Sequence, residues 1–300
     1  INMGNCWRVQ SLVVNETANS YLVTMTRMLT VGSGMSQRSS EIQSLALGNL
    51  KTGAVTSKIN LVQGGAGSNV SDWAAYNGVD LGTDLCTSTF GGSFQSTTLG
   101  SGTLDTYNTM IRPDGSLVVG LTCYYYSSNL TTGADYRVSG LVGLKSSGST
   151  LVLDTSWAAN GVLKTFDDPN KCGYTWGGNT TDTSITSNSA QKIFAIAQVQ
   201  TYDRVTTPPV GTNLTSYNGC NTQGAPTYSG TSLVVLEADG SIVKTHSFTS
   251  ESGFGRWIID PTGRWTNTLM GGTVNAPTTS IFRLTTKGEL DTTLGTKCDN

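Results

Sequence analysis

Histidine occurs once in the chain, at His246 within the strand-like KTHSF, and no GxSxG elbow accompanies it. A Ser-His-Asp triad and a histidine zinc site therefore lack their parts. A lone histidine in a strand is expected to pack rather than react. Carboxylates are the remaining acid and base chemistry. Asp72, Asp80, Asp84, Asp167, Asp168, Asp182, Asp203 and Glu237 are the candidates, and two of them at the right separation would make a carboxylate glycosidase. Asp114, Asp154, Asp239, Asp260 and Asp291 fall instead in turn sequences, where an Asx side chain closes the backbone. No DxDxDG loop and no glycine-rich phosphate loop opening a helix is present, so no metal, cofactor or catalytic residue is expected.

Aromatic residues offer binding chemistry. Tyr124 and Tyr126 flank Tyr125 at the end of an apolar run, Trp73 lies in a glycine-rich loop, and Trp176 sits in the polar YTWGGNTT. Aromatic faces stack on sugar rings and anchor interfaces, which makes Trp73, Tyr124, Tyr126 and Trp176 the candidate ligand-binding set. Successive strand residues face opposite ways, so at most two of the three tyrosines share a face. The alternative role for the tyrosines is to fill gaps between packed sheets.

The six cysteines are Cys6, Cys86, Cys123, Cys172, Cys220 and Cys298, without CxxC or CxH spacing. An even, dispersed set fits disulfides formed in an oxidising compartment, although buried free thiols are the alternative. Position along the repeats described below favours Cys6 with Cys298, Cys172 with Cys220 and Cys86 with Cys123. Sequons stand at Asn15, Asn69, Asn129, Asn179 and Asn213. A chain this rich in Ser and Thr reaches such a count by chance, and Asn129 and Asn179 have the most loop-like surroundings.

Charged residues make up 13% of the chain and the net charge is -2, which leaves no basic footprint for nucleic acid. No apolar run approaches the roughly 20 residues of a membrane-spanning helix. The start, INMGNCWRVQ, lacks a charged segment followed by an apolar core, and with the cysteines this favours a secreted chain whose leader has been removed.

Apolar alternation broken by glycine turns runs through the whole sequence. WRVQSLVV and YLVTMTRMLTVG flank a polar turn, and IQSLALGN and AVTSKINLV follow. Asp114-Gly115 opens a further set of runs between 110 and 166, and turn glycines at 53, 102, 148, 240 and 288 mark five hairpins. The turn Asp114-Gly115-Ser116-Leu117 followed by VVG, with the tails LDTSWAANGV and GELDTTLG, resembles the delta-sixty repeat and its DGxLDxxFG signature. The match is good over 110–166 and 254–295, partial at 233–248, and confined to the turn before that.

That resemblance implies a β-propeller, and such repeats occur in secreted and cell-surface proteins that mostly lack an assigned activity. The chain is accordingly expected to be an all-β, single-domain propeller over 1–300, with about five four-stranded blades. Their ranges are 7–63, 64–109, 110–166, 167–248 with an insertion near 204–230, and 249–300. A sixth blade fits if the wide gap before Gly240 holds one. Cys6 and Cys298 would latch the ring near the termini. The expected role is a non-catalytic extracellular or cell-surface glycoprotein, structural or adhesive, self-associating into a fibre or coat or binding other extracellular proteins. A lectin using the loop aromatics, with glycans as partners, is the first alternative, and a carboxylate glycosidase the second.

Overall fold

The computed structural model describes residues 7–31, 38–62, 77–91, 93–94, 97–126, 136–164, 171–174, 184–187, 192–203, 228–248, 258–273 and 276–294. The fold is mostly β with one described helix, in keeping with the all-β expectation. A first antiparallel meander comprises β1 (Arg8–Asn15), β2 (Ser20–Val31), β3 (Arg38–Asn49) and β4 (Val55–Val62). The short β5 (Gly78–Val79) lies parallel to β4 and leads into α1 (Leu81–Phe90). Next come β6 (Ser93–Phe94) and a second meander: β7 (Thr97–Ile111), β8 (Leu117–Tyr126), β9 (Tyr136–Ser147) and β10 (Thr150–Leu153), with β11 (Val162–Lys164) also on β9.

A parallel contact between Lys58 of β4 and Thr150 of β10 joins the two meanders into one 11-stranded sheet, eight strands of which curl as a half-barrel. A 5-stranded sheet follows: β12 (Lys171–Tyr174), β13 (Ser184–Ser187), β14 (Ile193–Asp203), β15 (Tyr228–Leu236) and β16 (Ile242–Phe248). The third sheet has β17 (Ile258–Ile259), β18 (Trp265–Thr273) and β19 (Ala276–Leu284).

Strand alternation explains how the sheets stack. Leu22, Leu45 and Leu61 of the first meander pack on Leu117, Val119 and Leu121 of β8 inside the curl. Val118, pointing the other way, joins Trp157, Val234 and Leu236. On β15 the neighbours Leu233 and Val235 turn away from that layer and meet Trp265 and Leu284 of the last sheet. Both faces of β8 and of β15 are thus buried, and each sheet serves as core for the next.

Four hairpin turns share one geometry. In each, a backbone N–H donates to the carbonyl four residues on, and the glycine three residues on donates back. Arg112–Ser116, Glu237–Ser241, Asp260–Arg264 and Thr285–Glu289 all do so at 2.7–3.0 Å. Their glycines, 115, 240, 263 and 288, have φ of 84°, 88°, 83° and 82°, the left-handed region where a side chain is disfavoured. Two of these turns seat on the preceding unit. A Cβ on Gly240 would lie 2.8 Å from both Ala158 Cβ and the Trp157 ring, and one on Gly288 would lie 2.5 Å from Val235.

Gly102 corrects the sequence reading. It lies inside β7 rather than in a turn, so the fifth hairpin expected there is absent among the described residues. Its lack of a side chain serves a close approach instead: a Cβ would sit 2.2 Å from the Gly82 carbonyl, where α1 crosses the strand. The stretch 64–109, expected to hold a blade, contains α1, β5, β6 and most of β7 among its described residues. Asp80 caps the helix by accepting from Thr83 N–H at 3.2 Å, and the disulfide Cys86–Cys123 pins it to β8.

Alanine at Gly240 and at Gly148 separates conformational strain from collision. Both glycines have positive φ, but Gly148 has open space where a Cβ would stand. Gly148→Ala is expected to cost about 1–2 kcal/mol and Gly240→Ala about 2–3 kcal/mol more, read from urea unfolding midpoints. Equal costs would show that the turn does not seat on Trp157.

Candidate functional site

The five turn aspartates act as the sequence reading expects. Each accepts from the backbone N–H and the hydroxyl of a Ser or Thr two residues on: Asp114 from Ser116, Asp154 from Ser156, Asp239 from Ser241, Asp260 from Thr262 and Asp291 from Thr293. Three of them carry ion pairs as well, Asp114 with Arg112 Nε at 3.8 Å. Arg112 Nη2 donates to Asp154 Oδ2 at 2.5 Å, and Lys145 Nζ reaches Asp154 Oδ1 at 3.2 Å. Arg283 Nε donates to Asp291 Oδ2 at 2.8 Å.

Burial pushes the Asp154 carboxyl up, but hydrogen bonds from Ser156, Lys145 and Arg112, with the guanidinium charge, outweigh it and hold the group down at about 2. Thr293, by side-chain and backbone hydrogen bonds, together with Arg283 holds Asp291 at about 2. Bonds from Ser241 lower Asp239, and those from Thr262 and Arg264 lower Asp260. Such groups stay ionised and cannot donate a proton near neutrality. Among the other acids, Asp80 is the helix cap and Glu237 pairs with Lys192.

His246 is buried, and its Nε2 donates to the Gly288 carbonyl at 2.7 Å. It joins β16 to the turn of the following sheet. Its role is packing and positioning.

Tyr124 is half-buried on β8, Tyr125 points into the core, and Tyr126 ends the strand. Tyr125 Oη donates to the Gly91 carbonyl at 3.0 Å, and burial pushes its hydroxyl up to about 12. Trp73 and Trp176 lie outside the described residues. Cys86 and Cys123 pair as expected. Cys172 lies on β12, whereas Cys6, Cys220 and Cys298 are outside the described residues. Asn15 ends β1, where its Nδ2 donates to the Ile111 carbonyl at 2.8 Å and its Oδ1 accepts from Ala18 N–H at 3.0 Å. Asn69, Asn129, Asn179 and Asn213 lie outside the described residues.

A surface absent from the sequence reading forms on the outer face of the first meander. The pairing register sets Val9, Met25, Ser44 and Asn60 in one row across the four strands, and Leu12, Val23, Ala46 and Lys58 in the next. Gln10 is an extra residue between Val9 and Ser11. This bulge restores Leu12 and Val14 to the face that Val9 occupies, so alternation alone would have split the three. They are 55%, 62% and 49% exposed. Trp7 packs beside them on Tyr21, Val23, Met25, Ile42 and Val62. A pocket of about 400 Å³ opens next to Trp7, floored by Met25, Ser44, Ala46 and Asn60 and rimmed by Val55, Thr56, Ser57, Lys58 and Ser149. No carboxylate lines it among the described residues.

No family model and no curated protein matches the chain.

The lowered carboxyls predict the acid behaviour. With Asp154 at about 2 when folded against 3.8 ordinarily, its stabilisation is complete above about pH 4 and is lost as the pH falls towards 2. Asp154→Asn should flatten part of that acid limb in urea titrations. It should also cost about 3–5 kcal/mol at neutral pH, because the Arg112 charge is left buried. An unchanged acid limb would show that the pair does not couple to folding.

Proposed function

We propose that the chain is a non-catalytic extracellular structural or adhesive subunit that assembles with copies of itself through β1. The observation that carries this reading is the edge of the long sheet. Among the described residues β1 pairs only with β2, and its row of Val9, Leu12 and Val14 faces out. Protected edges carry Pro, Lys, inward charges or bulges, and after Arg8 RVQSLVVN has of these only the bulge at Gln10. Antiparallel pairing of β1 with β1 of a second copy satisfies both sets of backbone groups and brings two apolar rows together without bringing acids together.

The non-catalytic part of the reading is supported by the aspartates spent on turns and cations. An oxidising compartment is supported by the Cys86–Cys123 bond. The resemblance to delta-sixty repeats enters here as well. Serial burial on both faces of β8 and β15, with turns seated on the unit before, is how blades of a propeller would follow one another. A closed ring would carry the last sheet round to the outer face of the first meander and cover Trp7 and the β1 row. We favour the open stack because that row is exposed.

Sedimentation and negative-stain imaging of the secreted full-length chain test the assembly, with Leu12→Lys as the variant. Wild-type dimers or arrays that fall to monomers in Leu12→Lys are expected. A wild-type monomer, together with a Cys6–Cys298 peptide in a non-reducing digest, would replace the open stack by the closed ring.

A further inference from the structure

We propose that the β1 contact between two copies has a single antiparallel register, centred on Val13 and closed at each end by Arg8 of one copy beside Glu16 of the other. The inference rests on the assembly reading above and adds its geometry. The bulge sets the length of the contact. Towards β2, the strand pairs without interruption from Ser11 to Asn15, and the extra residue Gln10 breaks the ladder before Val9. A bulge kinks its strand, so it disrupts pairing on the free edge as it does on the paired one. The five residues from Ser11 to Asn15 therefore remain to pair with the same five of a second copy.

Faces then fix the register. Residues directly opposite one another in an antiparallel pair share a face. Leu12 and Val14 point outward, while Val13 packs on the core inside the curl. Outward residues must meet outward ones, which rules out a shift of one residue. Centring the pair on Val13 uses the whole regular stretch: Leu12 of each copy meets Val14 of the other, and Ser11 meets Asn15. The Asn15 amide is already engaged with the Ile111 carbonyl and the Ala18 N–H, so it makes no demand on Ser11. A shift of two residues would set Leu12 opposite itself but would run the bulge into the contact.

The charges agree with this polarity. In the run RVQSLVVNE the charged residues are the first, Arg8, and the last, Glu16, and both are exposed. Antiparallel pairing sets the cation of each copy near the anion of the other, whereas parallel pairing sets like beside like. Such a strand is complementary to itself only when antiparallel, as a two-fold contact between identical chains requires.

Sedimentation of the full-length chain in paired variants tests the register. Leu12→Glu and Val14→Lys should each weaken the dimer more than about tenfold when alone. An equimolar mixture should recover it, because each mixed dimer holds one new ion pair and one unaltered Leu12–Val14 contact. Arg8→Glu and Glu16→Arg should each cost about tenfold and likewise recover on mixing, since both end contacts become attractive again. All these positions are exposed in one protomer, and circular dichroism of each variant checks the fold. A wild-type monomer overturns the assembly reading and the register with it. Wild-type dimers that break in Leu12→Lys, with recovery missing from either mixture, keep assembly through β1 and overturn the register alone.

Discussion

The Arg112–Asp154 pair is the interaction on which the described fold leans most. Arg112 opens the first of the four common turns. Asp154 begins the tight loop that presents Trp157. Ala238, in the turn of the next sheet, supplies the carbonyl that accepts from Arg112 Nη1 at 3.2 Å and from Trp157 Nε1 at 3.1 Å. The guanidinium also lies 5.9 Å from the Trp157 ring centroid. Three segments far apart in sequence are therefore fixed by one planar cation. Arginine suits this place better than lysine, because its fork serves a carboxylate and a carbonyl at once while its face meets an indole. Burying that charge is expensive, and the nearly complete pairing is what makes it tolerable.

A weaker version of the same arrangement recurs one unit later. Asp291 accepts from Thr293 and Arg283, Gly288 presses on Val235, and the Gly288 carbonyl accepts from His246. The turn glycine has two duties in these units: positive φ to close the hairpin, and a bare surface that lets the turn approach its neighbour. Side chains are excluded for two independent reasons, which explains why the Asp-Gly signature is so plain in the sequence.

Those turns, the alternating strands and the Cys86–Cys123 pair were legible because each is a local or periodic signal. Asp114, Asp239 and Asp260 announce their roles by a Ser or Thr two positions on. Gly102 was misread because a glycine in a polar stretch looks the same whether it bends the chain or admits a neighbour's backbone. Helix α1 was invisible: LGTDLCTSTF has β-branched threonines and weak amphipathicity, and its stability comes from Asp80, the disulfide and contact with Gly102 rather than propensity. The Trp7 pocket draws on residues from 7 to 149, a juxtaposition made only by the register of four strands and the β4–β10 junction.

The location of that pocket follows from how the sheets stack. Sheets that use each other as core bury both faces, as β8 and β15 do. The first meander has one face inside the curl, and its other face is covered among the described residues chiefly by Trp7 and its own side chains. On that outer face Ser44 is buried and Asn60 half-buried, so their polar groups sit within rows that are otherwise Val, Met, Leu and Ala, with the exposed Lys58 at the end of one row.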